Sequence, residues 1–262
     1  MSGADAWDRR IRRADALVTD GGAAATLLSF YARLLRQQQI VYQSFDRRPP
    51  RGSIETDASA LADAASGLFK TVADHGPELL AAQARDLLAS DASTWRHLLL
   101  DYWHMRSDRQ FFAKALAQPY AEWLANTGAE RIDREFNAVN NRCPRCGGAP
   151  QLSMLDAGAT PAIDGSGRRL LCATCLTAWP FRRVLCPSCG EADEQKLGYF
   201  QSSTLEHVRL DACESCHRYL KTIDLGRLGL AVPLVDEVAA ASLDLWAQEH
   251  GYQKIELNLL GV

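Results

Sequence analysis

The sequence predicts an α+β protein: an all-α N-terminal domain, then two tandem four-cysteine metal ribbons, then a C-terminal helix. Three observations lead there. All eight cysteines lie beyond residue 140; they fall into four Cys-x-x-Cys pairs; and residues 1–139 are rich in Ala, Leu, Arg and Asp with apolar side chains at helical spacing. The domains expected are 1–139 (helical), 140–185 (first ribbon), 186–231 (second ribbon) and 232–262 (C-terminal helix and tail).

In the helical region, Leu27, Phe30, Tyr31, Leu34, Ile40 and Val41 define one apolar stripe that ends before Pro49 and Pro50. Gly76-Pro77 separates a stripe at Leu61, Leu68 and Val72 from another at Leu79, Leu80, Leu87 and Leu88. Ser93 is placed as the N-cap of the next helix, and Pro119 is expected to kink or restart the one after. About six helices result, joined by short connections that favour antiparallel packing. His75, His97 and His104 have no cysteine or acidic partner at ligand spacing, and the aromatic residues from Trp95 to Trp123 are assigned to the core, with a partner-gripping groove as the alternative.

With 262 residues the chain can bury a core without disulfide staples. Arg9 and Arg10 form a twin-arginine pair, but Asp15, Asp20 and Arg33 interrupt the apolar segment an export signal needs, so the segment is read as a helix start. No run of 18 uncharged apolar residues occurs, and no membrane span is expected. The expected location is cytoplasmic, where reduced thiols point to metal ligation or redox chemistry. A net charge of -3 and a pI near 6.1 provide no overall footprint for a polyanion.

The cysteine pairs are Cys143 and Cys146, Cys172 and Cys175, Cys186 and Cys189, and Cys213 and Cys216. A tight Cys-x-x-Cys turn sets two sulfurs on one side, and two turns complete a tetrahedral four-thiolate site. The first and third turns share proline after the first cysteine and glycine after the second, Gly147 and Gly190; the second and fourth carry Leu176 and His217 there. This tandem repeat pairs the first turn with the second and the third with the fourth. Strands are expected near "PQLSML", "GRRLLC" and "AWPFRRVL", the first two joined through "DGSG", and near "QKLGYFQ", "EHVRLDA" and "RYLKTIDL". A cross-braced pairing and four independent redox pairs are the alternatives. Histidine ligation is not required, and His207 and His217 are expected to face solvent or to orient a thiolate. A closed four-ligand site is structural by default, which argues against an enzyme.

The runs "CPRCGGAPQLSML", "GRRLLCATCLTAWPFRRVLCPSCG" and "ACESCHRYLKTID", with a helix ending "EHGYQ", resemble the formate dehydrogenase accessory protein (FdhE) family over residues 143–253. The resemblance implies a cytoplasmic accessory protein that binds the catalytic subunit of formate dehydrogenase before its completion or export. It also implies rubredoxin-like turns holding two metal ions, iron or zinc. The implied ligands are Cys143, Cys146, Cys172, Cys175, Cys186, Cys189, Cys213 and Cys216. Leu176 and His217 depart from the glycine usual in rubredoxin-like turns.

Between the two ribbons, Trp179 and Phe181 are candidate apolar contacts for the client and Arg182 and Arg183 candidate partners for its acidic groups, the alternative being a lid on the first site and a solvated strand face. Two other functions compete: a rubredoxin-like redox protein acting on the client's cofactor, and a nucleic-acid-binding zinc ribbon. Residues 140–231 hold 11 Lys and Arg against 9 Asp and Glu. Two divalent ions in eight thiolates would leave that stretch acidic, which disfavours nucleic acid. The last helix, "PLVDEVAAASLDLWAQEH", is expected to carry an apolar stripe through Val235, Val238, Leu245 and Trp246, an acidic exposed face and a C-cap at Gly251.

Overall fold

Residues 3–105, 110–128, 140–156, 167–201 and 204–261 are described by a computed structural model. The chain divides into two compact units: a helical one, which includes residues 259–261, and a second that begins at residue 140 among the described residues and ends at Asn258.

Among the described residues, six α-helices build the helical unit: α1 (Gly3–Thr19), α2 (Ala25–Arg47), α3 (Ile54–His75), α4 (Glu78–Ala89), α5 (Ala92–Met105) and α6 (Phe111–Thr127). Arg10, of the twin-arginine pair, is buried in α1 and makes a two-pronged ion pair with Glu122 at 2.6 and 2.9 Å, its guanidinium lying 4.6 Å from the centre of the Trp7 ring. Aromatic rings join the aliphatic side chains of its core. Phe69 meets Trp95 and Phe112 edge-on, and Trp103 meets Tyr120 in the same way.

Spacing misplaced several residues here. Ile40 is 58% exposed while Gln38 is buried, and Leu79 is exposed while Ala81 and Ala84 form the buried face of α4. The cap of α5 is Asp91, whose carboxylate accepts from the Thr94 N–H at 2.9 Å, while the Ser93 hydroxyl donates to the same carboxylate. Pro119 does not break α6. Its ring removes the N–H that would reach the Ala115 carbonyl, and the Gln38 side-chain amide donates to that carbonyl instead at 2.9 Å.

In the second unit the ribbon strands are β1 (Pro150–Leu155), β2 (Arg168–Cys172), β3 (Ala178–Pro180), β4 (Leu197–Gln201), β5 (Val208–Cys213) and β6 (Arg218–Asp224). The third strand is shorter than expected, and most of the "DGSG" turn lies outside the described residues. The two ribbons are not independent. They share one sheet in the order β3-β2-β1-β6-β5-β4, joined by parallel pairing of β1 with β6, and β7 (Gln253–Lys254) also pairs with β6.

Alternation gives this sheet two different faces. Leu152, Met154, Leu171, Leu210, Tyr219 and Ile223 point toward the C-terminal helices. Ser153, Arg168, Arg209, Asp211 and Thr222 occupy the other face, linked by hydrogen bonds: Arg168 donates to Ser153 at 3.3 Å and to Asp211 at 3.2 Å, and Thr222 donates to Asp211 at 2.6 Å. Ser153 and Thr222 also bond each other across the β1–β6 joint.

The expected single C-terminal helix is two, α7 (Pro233–Ala239) and α8 (Ala241–Glu249), separated at Ala240. Gly251 supports the stop, with φ of 80°. Leu245, assigned to the apolar stripe, is exposed, and the acidic residues assigned to the exposed face are buried: Asp236, Glu237 and Asp244 have 0% exposure. Lysines on the sheet explain the inversion. Lys221 is fully buried between Asp244 and Glu237, and Lys254 contacts both carboxylates. Burial pulls Lys221 below the usual lysine range, while the neighbouring lysines hold Glu237 below the carboxylate range against its own burial. His207, expected near solvent, is likewise buried and pairs with Asp236 at 2.8 Å.

Lys221→Ala leaves these buried carboxylates short of a cation, and urea unfolding should show a loss of about 3–5 kcal/mol. A loss below about 1 kcal/mol, the range of exposed ion pairs, would show that the cluster does not anchor the helices.

Candidate metal centres

Each cysteine turn folds in the same way regardless of sequence. The residue after the second cysteine is left-handed in all four: Gly147 (φ 66°), Leu176 (56°), Gly190 (80°) and His217 (53°). In three of them its N–H donates to the carbonyl of the first cysteine, at 2.8 Å from Gly147, 3.0 Å from Gly190 and 2.9 Å from His217. This geometry turns both sulfurs inward and exposes backbone N–H groups to them. Thr174 N–H donates to Cys172 Sγ at 3.3 Å, and Ser188 N–H to Cys186 Sγ at 3.4 Å.

Two clusters result. Cys143, Cys146, Cys172 and Cys175 form one and Cys186, Cys189, Cys213 and Cys216 the other, with all sulfurs of a cluster within 4.8 Å of one another. The first turn therefore meets the second and the third meets the fourth, and the cross-braced alternative is not what the chain adopts. The closest sulfurs are 3.4 and 3.5 Å apart in the first cluster and 3.7 and 3.8 Å in the second. A tetrahedral ion with metal–sulfur bonds of about 2.3 Å has edges of about 3.8 Å. The donors thus fit a four-thiolate ion such as zinc or iron. All eight cysteines are free of disulfides.

Electrostatics favour a cation in both clusters. Burial pushes the Cys172 thiol well up and also raises Cys186, so four sulfurs so close together do not all ionise alone. An entering ion supplies the compensating charge and releases protons. The clusters differ in access. The first is buried throughout, whereas in the second Cys189 is exposed and Cys216 half-buried. Partial desolvation acts on Cys189 too, yet the Glu191 backbone N–H and the neighbouring thiols keep it below its ordinary value.

Sequence reasoning missed Gly148. A Cβ there would lie 2.9 Å from Cys172 Sγ and 3.3 Å from Cys146 Sγ, so only glycine lets the chain pass the first cluster. The doubled glycine in "CPRCGG" was the available signal. Of the residues proposed between the ribbons, Trp179 and Phe181 are buried and offer no free apolar area. Trp179 donates its indole N–H to the Asn140 carbonyl at 3.0 Å, and Phe181 lies beneath the Arg168 guanidinium at 5.7 Å. Arg182 and Arg183 are exposed. His75, His97 and His104 join no metal-ligand cluster among the described residues, and no described helix is long and apolar enough to cross a membrane.

Comparison with known proteins fits this arrangement. Residues 184–260 match the family model described as FdhE, C-terminal domain. A protein FdhE homolog from Aquifex aeolicus is 39% identical over 153 residues, 58% of this chain and 52% of that protein. Protein FdhE of Escherichia coli O127:H6 is 27% identical over 159 residues, 60% of this chain and 50% of its own length. The chain spans about half the length of the curated relatives it matches. The crystal structure of the FdhE protein from Pseudomonas aeruginosa has the same fold, with a TM-score of 0.68 at 22% identity over 99% of this chain and 96% of that one.

Two results are expected from metal chemistry. Under a zinc or iron chelator the metal-loaded protein should release its ions in two phases, and Cys189→Ser should remove the faster one; loss of the slower phase would reverse the order of access. Gly148→Ala should lower metal content by about one ion per chain without affecting the second cluster, as measured by elemental analysis.

Proposed function

We propose that this chain, similar to FdhE proteins over its C-terminal part, is a metal-binding accessory protein of that family for the assembly of formate dehydrogenase, acting in the cytoplasm on the catalytic subunit before completion or export. The observation that carries this reading is the pair of closed four-thiol clusters on one sheet, the second of which lies in the region that matches the family model. All four positions of each cluster are protein sulfurs, so an ion held there has no open position for substrate. Its chemistry is to hold the turns, and the surface they support does the binding. The proposed ligands are the eight cysteines, with iron or zinc in each cluster.

A redox role has one specific observation in its favour: the partial exposure of the second cluster at Cys189 and Cys216, which would let an electron reach a bound iron ion from a partner. Red protein after anaerobic purification, bleached by dithionite, would support it; colourless protein with two zinc ions would remove it.

The accessory reading is tested by co-purification. Wild-type protein should retain the catalytic subunit of formate dehydrogenase, and Cys143→Ser with Cys186→Ser should lose both metal and client. Wild-type protein that retains no catalytic subunit overturns the reading.

A further inference from the structure

The face of the sheet turned away from α7 and α8 holds a cavity of about 360 Å³ beside the second cluster, within the range of small binding pockets. Its apolar floor and walls come from Val184, Leu185, Leu197, Tyr199, Leu220 and Ile255. Tyr199 and Val184 are among the few large apolar side chains left exposed, Tyr199 at 64%. Arg209 lies over the Tyr199 ring at 5.2 Å. Arg168 fixes one wall: buried itself, it donates to the carbonyls of Arg183 at 3.1 Å and Leu185 at 3.3 Å and so fastens the inter-ribbon segment to the sheet.

Charge at this cavity is unevenly compensated. Asp211 is engaged by Arg168 and Arg209. Arg183 and Arg218, both exposed, line the cavity and have no ion-pair partner among the described residues; Glu194 is the remaining carboxylate of the lining. Arg182, next in sequence to Arg183, is not part of the lining. Along one side runs β4, the edge strand of the sheet, whose outer backbone groups suit pairing with an extended chain.

We propose that this cavity docks an extended peptide segment carrying carboxylates next to apolar side chains, with Arg183 and Arg218 receiving the carboxylates and the Val184–Tyr199 floor the apolar groups. That the segment belongs to the client polypeptide rests on the accessory-protein reading; the recognition chemistry does not. Peptide fits better than nucleic acid, since Glu194 and the thiolate cluster at Cys186 and Cys213 border the same space and would repel a continuous phosphate chain.

A fluorescein-labelled octapeptide alternating aspartate and leucine serves as probe against the full metal-loaded chain. It should bind, weaken roughly tenfold or more with Arg183→Glu plus Arg218→Glu, and keep its affinity with Arg182→Glu, all variants retaining wild-type metal content and melting temperature. Leu185→Asp, aimed at the floor, provides a second variant if the double arginine variant loses metal. Equal affinity of the matching asparagine–leucine peptide, equal weakening by Arg182→Glu, or tighter binding of a single-stranded RNA 12-mer overturns the proposal. Co-purification of the catalytic subunit, scored separately, tests the accessory reading: retained client with no probe binding sinks the cavity alone.

Discussion

Parallel pairing of β1 with β6 makes the second unit one body. Without it each ribbon would be a three-stranded piece with an ion at one end. Through it, Leu152 to Leu155 align with Lys221 to Asp224, and the cores of the two ribbons lie on the same side of a continuous sheet. The joint is reinforced by polar groups: Ser153 and Thr222 pair across it, and Arg168 and Asp211 close the network from the neighbouring strands. A slip of one residue would send these polar groups into the apolar face and Lys221 onto the open one, so the register is tightly specified. The sheet therefore draws stability from burial shared across the joint, and not only from an ion held at the end of each ribbon.

The covered face poses a charge problem that its sequence solves. Lys221 interrupts an otherwise apolar strand pattern, and the segment that covers it brings Glu237 and Asp244. Isolated, any of these charges would be expelled from the interior; together, with Tyr219 donating to Asp244 at 2.9 Å and Asn258 to Glu237 at 2.8 Å, each has a partner. The broken geometry at Ala240 belongs to the same arrangement, because Lys221 donates to the Glu237 carbonyl at 2.5 Å where the helix is interrupted.

The parts legible in the sequence were those governed by local rules. Cys-x-x-Cys spacing and the tandem repeat indicated which turns meet, helical periodicity and Gly-Pro breaks located α2, α3 and α4, and the six ribbon strands lie in the segments flanking the cysteine turns where they were expected. What escaped depends on contacts between distant residues. Nothing local marks β1 and β6 as parallel neighbours, and Asp236, Glu237 and Asp244 look like a solvated face until Lys221, Lys254 and His207 are placed beside them. Pro119 passes for a helix breaker because its remedy, Gln38, is 81 residues away. Trp179 and Phe181 looked available for the same reason: their covers, Asn140 and Arg168, come from elsewhere in the chain.

Leu176 and His217 show how such context can replace a residue preference. A left-handed backbone costs a residue with a Cβ roughly 1–2 kcal/mol, which is why glycine follows the first and third turns. Those turns are entered from segments without strand structure, and only the residue itself can favour the bend. By contrast, the second and fourth turns sit at the tips of paired strands. Leu171 opposes Ala178 across the second and Cys213 opposes Arg218 across the fourth, so the ladder holds the bend closed whatever side chain it carries. The freed position is then used: His217 lies 6.1 Å from the Tyr252 ring, and its carbonyl accepts from Gln253 N–H at 2.9 Å, tying β7 to the rim of the second cluster. The absence of glycine in these turns therefore marks the places where the sheet, rather than the turn residue, prepares the sulfurs for an ion.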